Sequence, residues 1–189
     1  MRLTGGKVIL REKRLEDAWL DYLWRSDKEI ARLDAAFPLK MTFQEFLRLF
    51  RDQLRYPTPA SGRFGIDTTD GRYIGTCMYY DLDSINKQAE IGIVIGDRDY
   101  WGRSFGYDAV VTLLDYLFSG GAVDRLYLHT LDWNKRAQRA FSKCGFTSIR
   151  GVRRNSLDFL LMEVNKDHWL EVRDEKLAVR DGATRVTRE

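Results

Sequence analysis

The sequence predicts one α+β domain, a mixed β-sheet with helices packed on it, and three observations carry that prediction. The chain has 189 residues, about the size of a single domain. It is 44% apolar and 13% aromatic, and a chain of this length buries roughly 68–70% of its unfolded surface, so a core needs no staples. Segments of strand period and helical period follow each other in the order β-α-α-β-β-β-α-β-α-β-β, which packs as a mixed sheet with attached helices.

Val8-Ile9-Leu10-Arg11 is a short first strand, and Arg14-Leu15-Glu16-Asp17 opens a helix. Leu15, Trp19, Tyr22 and Leu23 fall on one face of it. A second helix starts at Thr42-Phe43-Gln44-Glu45, a capping box, and its apolar residues Phe43, Phe46, Leu47, Phe50 and Leu54 repeat at three and four. Tyr56 to Gly62 is a loop dense in turn formers. Arg63 to Ile66 and Tyr73 to Tyr80 flank the turn signal Asp70-Gly71 as a β-hairpin. Ala89 to Ile95 is the next strand. Tyr107 to Phe118 is helical, with Val110, Leu113, Leu114 and Leu117 on one face. Leu126 to Thr130 is a strand, and Asn134 caps a helix ending at Cys144-Gly145. Phe146 to Val152 and Leu157 to Val164 close the sheet. From Glu171 to Glu189 five basic residues balance five acidic ones and apolar residues are sparse, so a solvated helix or a disordered end is expected there.

Composition excludes several classes. A net charge of +3, from 31 basic and 28 acidic residues, shows no clustering of the kind nucleic-acid binding needs. Cys77 and Cys144 form no CxxC pair, and with only His129 and His168 beside them no spaced metal-ligand set exists. No apolar run has the length of a signal peptide or the ~18 residues of a membrane span. The expected setting is the cytoplasm, with both thiols reduced and buried as small hydrophobes.

The segment from Glu90 to Gly106, EIGIVIGDRDYWGRSFG, carries the most chemistry. A strand runs into the turn Trp101-Gly102-Arg103-Ser104-Phe105-Gly106 and straight into the helix at Tyr107. Such a turn aims successive backbone N–H groups and the positive end of a helix at one spot, an anion cradle suited to a pyrophosphate. The plainer reading is an ordinary strand-to-helix turn. It is neither a GxGxxG dinucleotide fingerprint nor a P-loop.

A second segment follows a later strand: Asn134-Lys135-Arg136-Ala137-Gln138-Arg139-Ala140-Phe141-Ser142-Lys143-Cys144-Gly145-Phe146. Together the two resemble the GNAT superfamily of acetyl-CoA-dependent N-acetyltransferases. The likeness is greatest to the ribosomal-protein N-terminal acetyltransferase-like branch, and it spans about Lys7 to Trp169. It implies a GNAT-like fold, a mixed central sheet splayed in the middle with helices on both faces. Residues 1–170 would form the single acetyltransferase domain and 171–189 a charged C-terminal tail. It further implies acetyl-CoA as co-substrate, an amine acceptor, no metal, and a homodimer by family habit. Ile93, Val94 and Ile95 would offer backbone groups to the pantetheine arm. Trp101, Gly102, Arg103, Ser104, Phe105, Gly106 and Tyr107 would hold the pyrophosphate, and Asn134 would meet the pantetheine from the other side. Asn134 read alone is a helix N-cap, and Ile93 to Ile95 read alone are core.

Two residues depart from the family pattern. Ser104 stands where glycine is usual, and Phe141 where many relatives carry a tyrosine that can protonate the departing thiolate. Direct attack on a thioester needs a neutral amine, yet an alkylamine with a pKa of about 10.4 is mostly protonated at neutral pH. Glu90 is therefore the expected proton acceptor, His129 the second candidate, and His168 irrelevant to the chemistry. The oxyanion is expected on backbone N–H groups of a bulged strand. Asp34, Phe37, Tyr79, Tyr80 and Asp81 could line the acceptor pocket or simply pack. The expected activity is acetyl transfer to a primary amine, either a protein N-terminus or a small molecule such as a polyamine, aminoglycoside or amino-acid derivative. The alternative is a non-catalytic acyl-CoA-binding module of the same fold, suggested by Phe141 and Ser104.

Overall fold

The computed structural model describes residues 1–182. The chain runs β1 (Arg2–Thr4), β2 (Val8–Glu12), α1 (Ala18–Ser26), α2 (Lys28–Leu33), α3 (Phe43–Arg55), β3 (Gly62–Thr68), β4 (Tyr73–Asp83) and β5 (Gln88–Ile95). It continues with α4 (Phe105–Ser119), β6 (Arg125–Leu131), α5 (Lys135–Lys143), β7 (Thr147–Arg154), β8 (Leu157–Asn165) and α6 (Lys166–Arg180). Short 3-10 turns precede α1 and α4. The sheet order is β1-β2-β3-β4-β5-β6-β8-β7.

The pair β5–β6 decides where a site can form. It is the parallel pair of the sheet, and it holds only from Gln88–Arg125 to Glu90–Tyr127. Beyond that point β5 follows β4 as far as Gly75–Ile95, while β6 follows β8 as far as Leu131–Phe159. Backbone groups on the inner edges of the two strands therefore face an open wedge instead of each other. The sheet is splayed in the middle, with helices on both faces, as the GNAT likeness implies. A register shift does occur beside the wedge, but in β4, between Tyr80 and Asp83. The pairing of β5 from Glu90 to Ile95 runs unbroken, so the bulge expected in the cofactor strand is not there.

The core is the face of α4 pressed on the sheet. Val110, Leu113, Leu114 and Leu117 are buried as their helical spacing predicts, together with Phe118. On α3 the capping box forms, Thr42 and Glu45 satisfying each other's backbone N–H groups. The apolar stripe expected on the first helix behaves differently: Leu15, Trp19 and Leu23 are 40–50% exposed, and Ala18 and Asp21 are buried. Beneath this helix the sheet presents Arg11, Lys13 and Tyr73, and the covering face must supply carboxylates. Asp17 and Asp21 do so.

α6 crosses the boundary expected at residue 170. Trp169 is fully buried and stacks on Phe118 at 6.2 Å, Val172 and Leu177 pack on the core, and Arg173 bonds Asp115. The tail is thus packed helix as far as Arg180; its residues 183–189 lie outside the described residues. No helix among the described residues is long and apolar enough to cross a membrane.

Candidate active site

A cavity of ≈ 1460 Å³ fills the wedge, larger than the roughly 300–1,000 Å³ of ordinary small-molecule sites. Its walls are β5 and β6, the loop into α4, one side of α5, the α2 end with residues 34–38, and the tip of the β7–β8 hairpin.

The loop into α4 has the backbone an anion needs. Gly102 adopts φ +72°, a region that L side chains avoid. A 15-residue helix follows from Phe105. Its first N–H groups, those of Phe105, Gly106 and Tyr107, have no helical carbonyl to bond and carry the positive end of the helix dipole. A side chain at Gly106 would meet only Ile95, at 3.7 Å, so the missing Cβ leaves room on the cavity wall. Trp101 ties the loop to β5, its indole N–H donating to the Ile95 carbonyl at 2.6 Å. That bond shows the Ile95 polar groups facing the wedge. Alternate residues of a strand turn their polar groups to opposite edges, so Ile93 also faces the wedge, while the backbone of Val94 faces β4.

Ser104 takes the left-handed conformation itself, with φ +68° and ψ 8°, and its side chain makes no cap hydrogen bond. This conformation costs an L residue about 1–2 kcal/mol, against about 0.5–1 kcal/mol of extra entropy lost by glycine. Ser104→Gly is accordingly expected to raise the melting temperature by about 1–3 °C without weakening CoA binding; a lowered melting temperature by calorimetry would contradict the account.

Other expected residues are placed differently. Arg103 lies over the rings of Tyr100 and Phe105 and donates to the Asp99 carbonyl; neither Arg103 nor Phe105 lines the cavity. Positive charge on this wall comes from Arg136, Arg139 and Lys143 of α5, with Arg136 stacked 4.6 Å over the Trp101 ring. The i, i+3, i+7 spacing that puts all three on one helix face was available in the sequence. Asn134 accepts from the Ala137 N–H, so its oxygen is the α5 cap and only its amide NH₂ remains for a ligand. Phe141 lines the cavity edge-on to Phe146 and has no proton to give. The buried thiols of Cys77 and Cys144 are pushed up to about 12 by burial, which removes them as nucleophiles. Among the described residues no group of three or more metal-ligating side chains comes together.

At the apex of the wedge, where β5 and β6 part, the structure brings the two base candidates together. His129 Nδ1 lies 2.8 Å from Glu90 Oε1, and the two side chains are 8% and 9% exposed. A carboxylate at that distance fixes the imidazole tautomer with the proton on Nδ1, leaving Nε2 as the basic nitrogen. Tyr80 is paired opposite Glu90 on β4, and burial followed by the nearby Glu90 charge holds its phenol well above the ordinary tyrosine value. Of the other acceptor-side residues, Asp34 and Phe37 line the cavity mouth, whereas Tyr79 and Asp81 do not. Asp34 is exposed to solvent at that mouth, and the protein crowded around it pushes its carboxyl up to about 6, against the pull of Arg25.

Comparison with known proteins fits this geometry. The family model of the acetyltransferase (GNAT) domain matches residues 7–147. The chain belongs to the GNAT acetyltransferase family. It is 32% identical over 127 residues to an uncharacterized N-acetyltransferase, p20, of Bacillus licheniformis, which covers 66% of this chain and 70% of that protein. It is 26% identical over 105 residues to the spermidine N(1)-acetyltransferase of Vibrio cholerae, covering 56% of this chain and 59% of that one. The fold matches that of the Vibrio cholerae spermidine N-acetyltransferase in complex with CoA and spermine, with a TM-score of 0.76 at 21% identity over 86% of this chain and 98% of the other. A GNAT-family acetyltransferase from Bacillus anthracis superposes with a TM-score of 0.73 at 14% identity over 88% and 99%. This GNAT domain is an N-acetyltransferase: it moves an acetyl group to a primary amine.

Proposed function

We propose that acetyl-CoA lies along the wedge, with its pyrophosphate on the α4 N-terminus and its thioester at the apex, and that a small-molecule amine approaches from the α2 side. Acetyl-CoA supplies an activated acetyl group. The chain's own residues do the rest: Gly102 to Tyr107 and α5 hold phosphate charge, the N–H groups of Ile93 and Ile95 orient the arm, and Glu90 with His129 takes the proton the amine sheds. The observation that carries this reading is the Glu90–His129 pair, buried where the strands part.

Likeness to the ribosomal-protein branch supports a protein N-terminus as acceptor, whereas relatives named for spermidine support a small amine. The mouth favours the small amine: the Arg32 guanidinium lies 4.6 Å over the Trp133 ring and joins two walls of the cavity. A cytoplasmic setting and a homodimer complete the proposal, the latter checked by light scattering.

Calorimetric titration with acetyl-CoA, followed by thiol release across a panel of amines, tests it. Micromolar binding with release by at least one amine is expected. Binding without release by any amine would favour the alternative, an acyl-CoA-binding module, to which Phe141 and the left-handed Ser104 lend support.

A further inference from the structure

Six basic side chains line the cavity, Lys28, Arg32, Arg136, Arg139, Lys143 and Arg154, against two carboxylates, Asp34 and Glu90. Among the described residues none of the six lies within ion-pair distance of a carboxylate; Arg32 and Arg136 stack on tryptophans, and Arg154 lies beside His129. The α5 group, beside the loop into α4, faces the end that the phosphates of CoA would occupy. Lys28, Arg32 and Arg154 come from α2 and the β7–β8 tip and face the acceptor end. There Glu90 is already engaged by His129, leaving Asp34 as the one carboxylate for a ligand. A polycation would bring its ammonium groups into an excess of like charge.

Arg154 is the most sharply placed of the three. Its Nη1 lies 3.5 Å from His129 Nδ1, so its guanidinium stands beside the pair that takes the proton. It is the last residue of β7, paired with Leu157 across a two-residue turn in which Asn155 and Ser156 both have positive φ. Such a turn fixes the strand ends closely. A guanidinium has five donors in a planar fork that suits a carboxylate or phosphate, and no carboxylate among the described residues engages this one.

We propose that the acceptor amine carries its own anionic group, a carboxylate or a phosphate a short chain away from the nitrogen, and that Arg154 holds it. The inference rests on the cavity being the site of acetyl transfer. The anion orients the amine toward the thioester, and Arg154 thereby sets specificity without taking part in the proton transfer.

The test measures thiol release from acetyl-CoA with four acceptors: an α-amino acid, its neutral carboxamide, 2-aminoethyl phosphate and spermidine. One of the two anionic acceptors is expected to exceed the carboxamide in kcat/KM by about 10- to 100-fold, the range of a charged hydrogen-bonded contact. Which of them leads tells carboxylate from phosphate. In Arg154→Gln that ratio is expected to fall toward one through KM of the anionic acceptor, with Arg154→Lys recovering part of it. Calorimetric affinity for acetyl-CoA checks that each variant is folded. Faster turnover of spermidine or of the carboxamide, or an unchanged ratio in Arg154→Gln, overturns the inference while leaving acetyl transfer intact. Release by none of the four, with acetyl-CoA bound, overturns the inference, and failure across the wider amine panel brings down the transfer reading as well.

Discussion

Glu90→Gln is expected to lower kcat by about 10²–10⁴-fold at neutral pH, the range for losing a positioned proton acceptor, with little effect on acetyl-CoA affinity. Glutamine keeps the shape of the side chain and can still accept the hydrogen bond of His129 Nδ1, 2.8 Å away in the parent. It loses the negative charge that stabilises a protonated imidazole, and it cannot take a proton. His129→Gln is expected to cost a similar factor, and the double variant little more than either single one, because residues acting as a unit are not additive. The loss should shrink as pH rises toward the amine's own pKa of about 10.4. The free amine then becomes abundant, so the variant's rate climbs with pH while the parent's levels off. Rates of thiol release between pH 7 and pH 10 check both points. A Glu90→Gln enzyme as fast as the parent at pH 7 would remove the pair from the mechanism.

The second large effect falls on stability. Arg11, 7% exposed, makes two charge-assisted bonds to Asp17 and two to Asp67, all between 2.7 and 2.8 Å. Lys13, Asp21, Tyr73 and Thr76 extend the cluster. Replacing Arg11 by methionine leaves two buried carboxylates without their partner. Breaking a buried pair in this way costs about 3–5 kcal/mol, a drop of roughly 6–20 °C in melting temperature for a chain of this size. Converting Asp17 and Asp67 to asparagine in the same background should recover much of it, because no buried charge is then left unmatched.

The pH dependence of that variant carries a sign. Burial alone would raise the Asp17 carboxyl, but the bonds from Arg11, the Arg14 N–H and the charge of Lys13 outweigh it and hold the group below its ordinary value. A depressed carboxylate contributes stability that is present above its unfolded pKa of about 3.9 and is lost as pH falls through the lower folded value. The parent should therefore lose stability on acidification below about pH 4. In Arg11→Met burial is no longer outweighed by the guanidinium, so the folded state takes up a proton more readily than the unfolded one. The variant's deficit is expected to narrow between pH 7 and pH 5. Thermal melts at both pH values decide it, and a deficit independent of pH would mean that the cluster is held by packing rather than by charge. The same cluster seats the start of α1 on the sheet, upstream of α2 and residues 34–38, which line the acceptor end of the cavity.

The parts legible in the sequence are those whose instructions are contiguous. Gly102 and Gly106 ahead of an apolar helix, Asn134 ahead of another and the Thr42–Glu45 box state backbone conformation over a few residues, and local sterics and capping enforce it wherever the segment lies. The three cations of α5 are equally local, a matter of helical spacing, whereas Arg103, although it stands in the turn itself, sends its side chain out of the cavity onto two aromatic rings. The stripe Leu15, Trp19, Leu23 misled for a related reason: helical period identifies a face but not which face the fold will bury, and here the face of Asp17 and Asp21 is the one that meets Arg11 and Lys13.

From its sequence alone this protein's family, its mixed α+β architecture, the glycine turn ahead of α4 and the choice of Glu90 and His129 as candidate proton acceptors were legible, because each depends on residue type and short-range spacing. The pairing of Glu90 with His129, 39 positions apart, the placing of Tyr80 opposite Glu90, the reach of Arg154 and the turning of Val94 away from the wedge were decided only in the tertiary structure. Strand period tells which side of a sheet a residue takes and is silent on which strand lies alongside. That choice belongs to the β5–β6 parallel contact, which ends at Glu90 because β4 and β8 hold the two strands apart from there on.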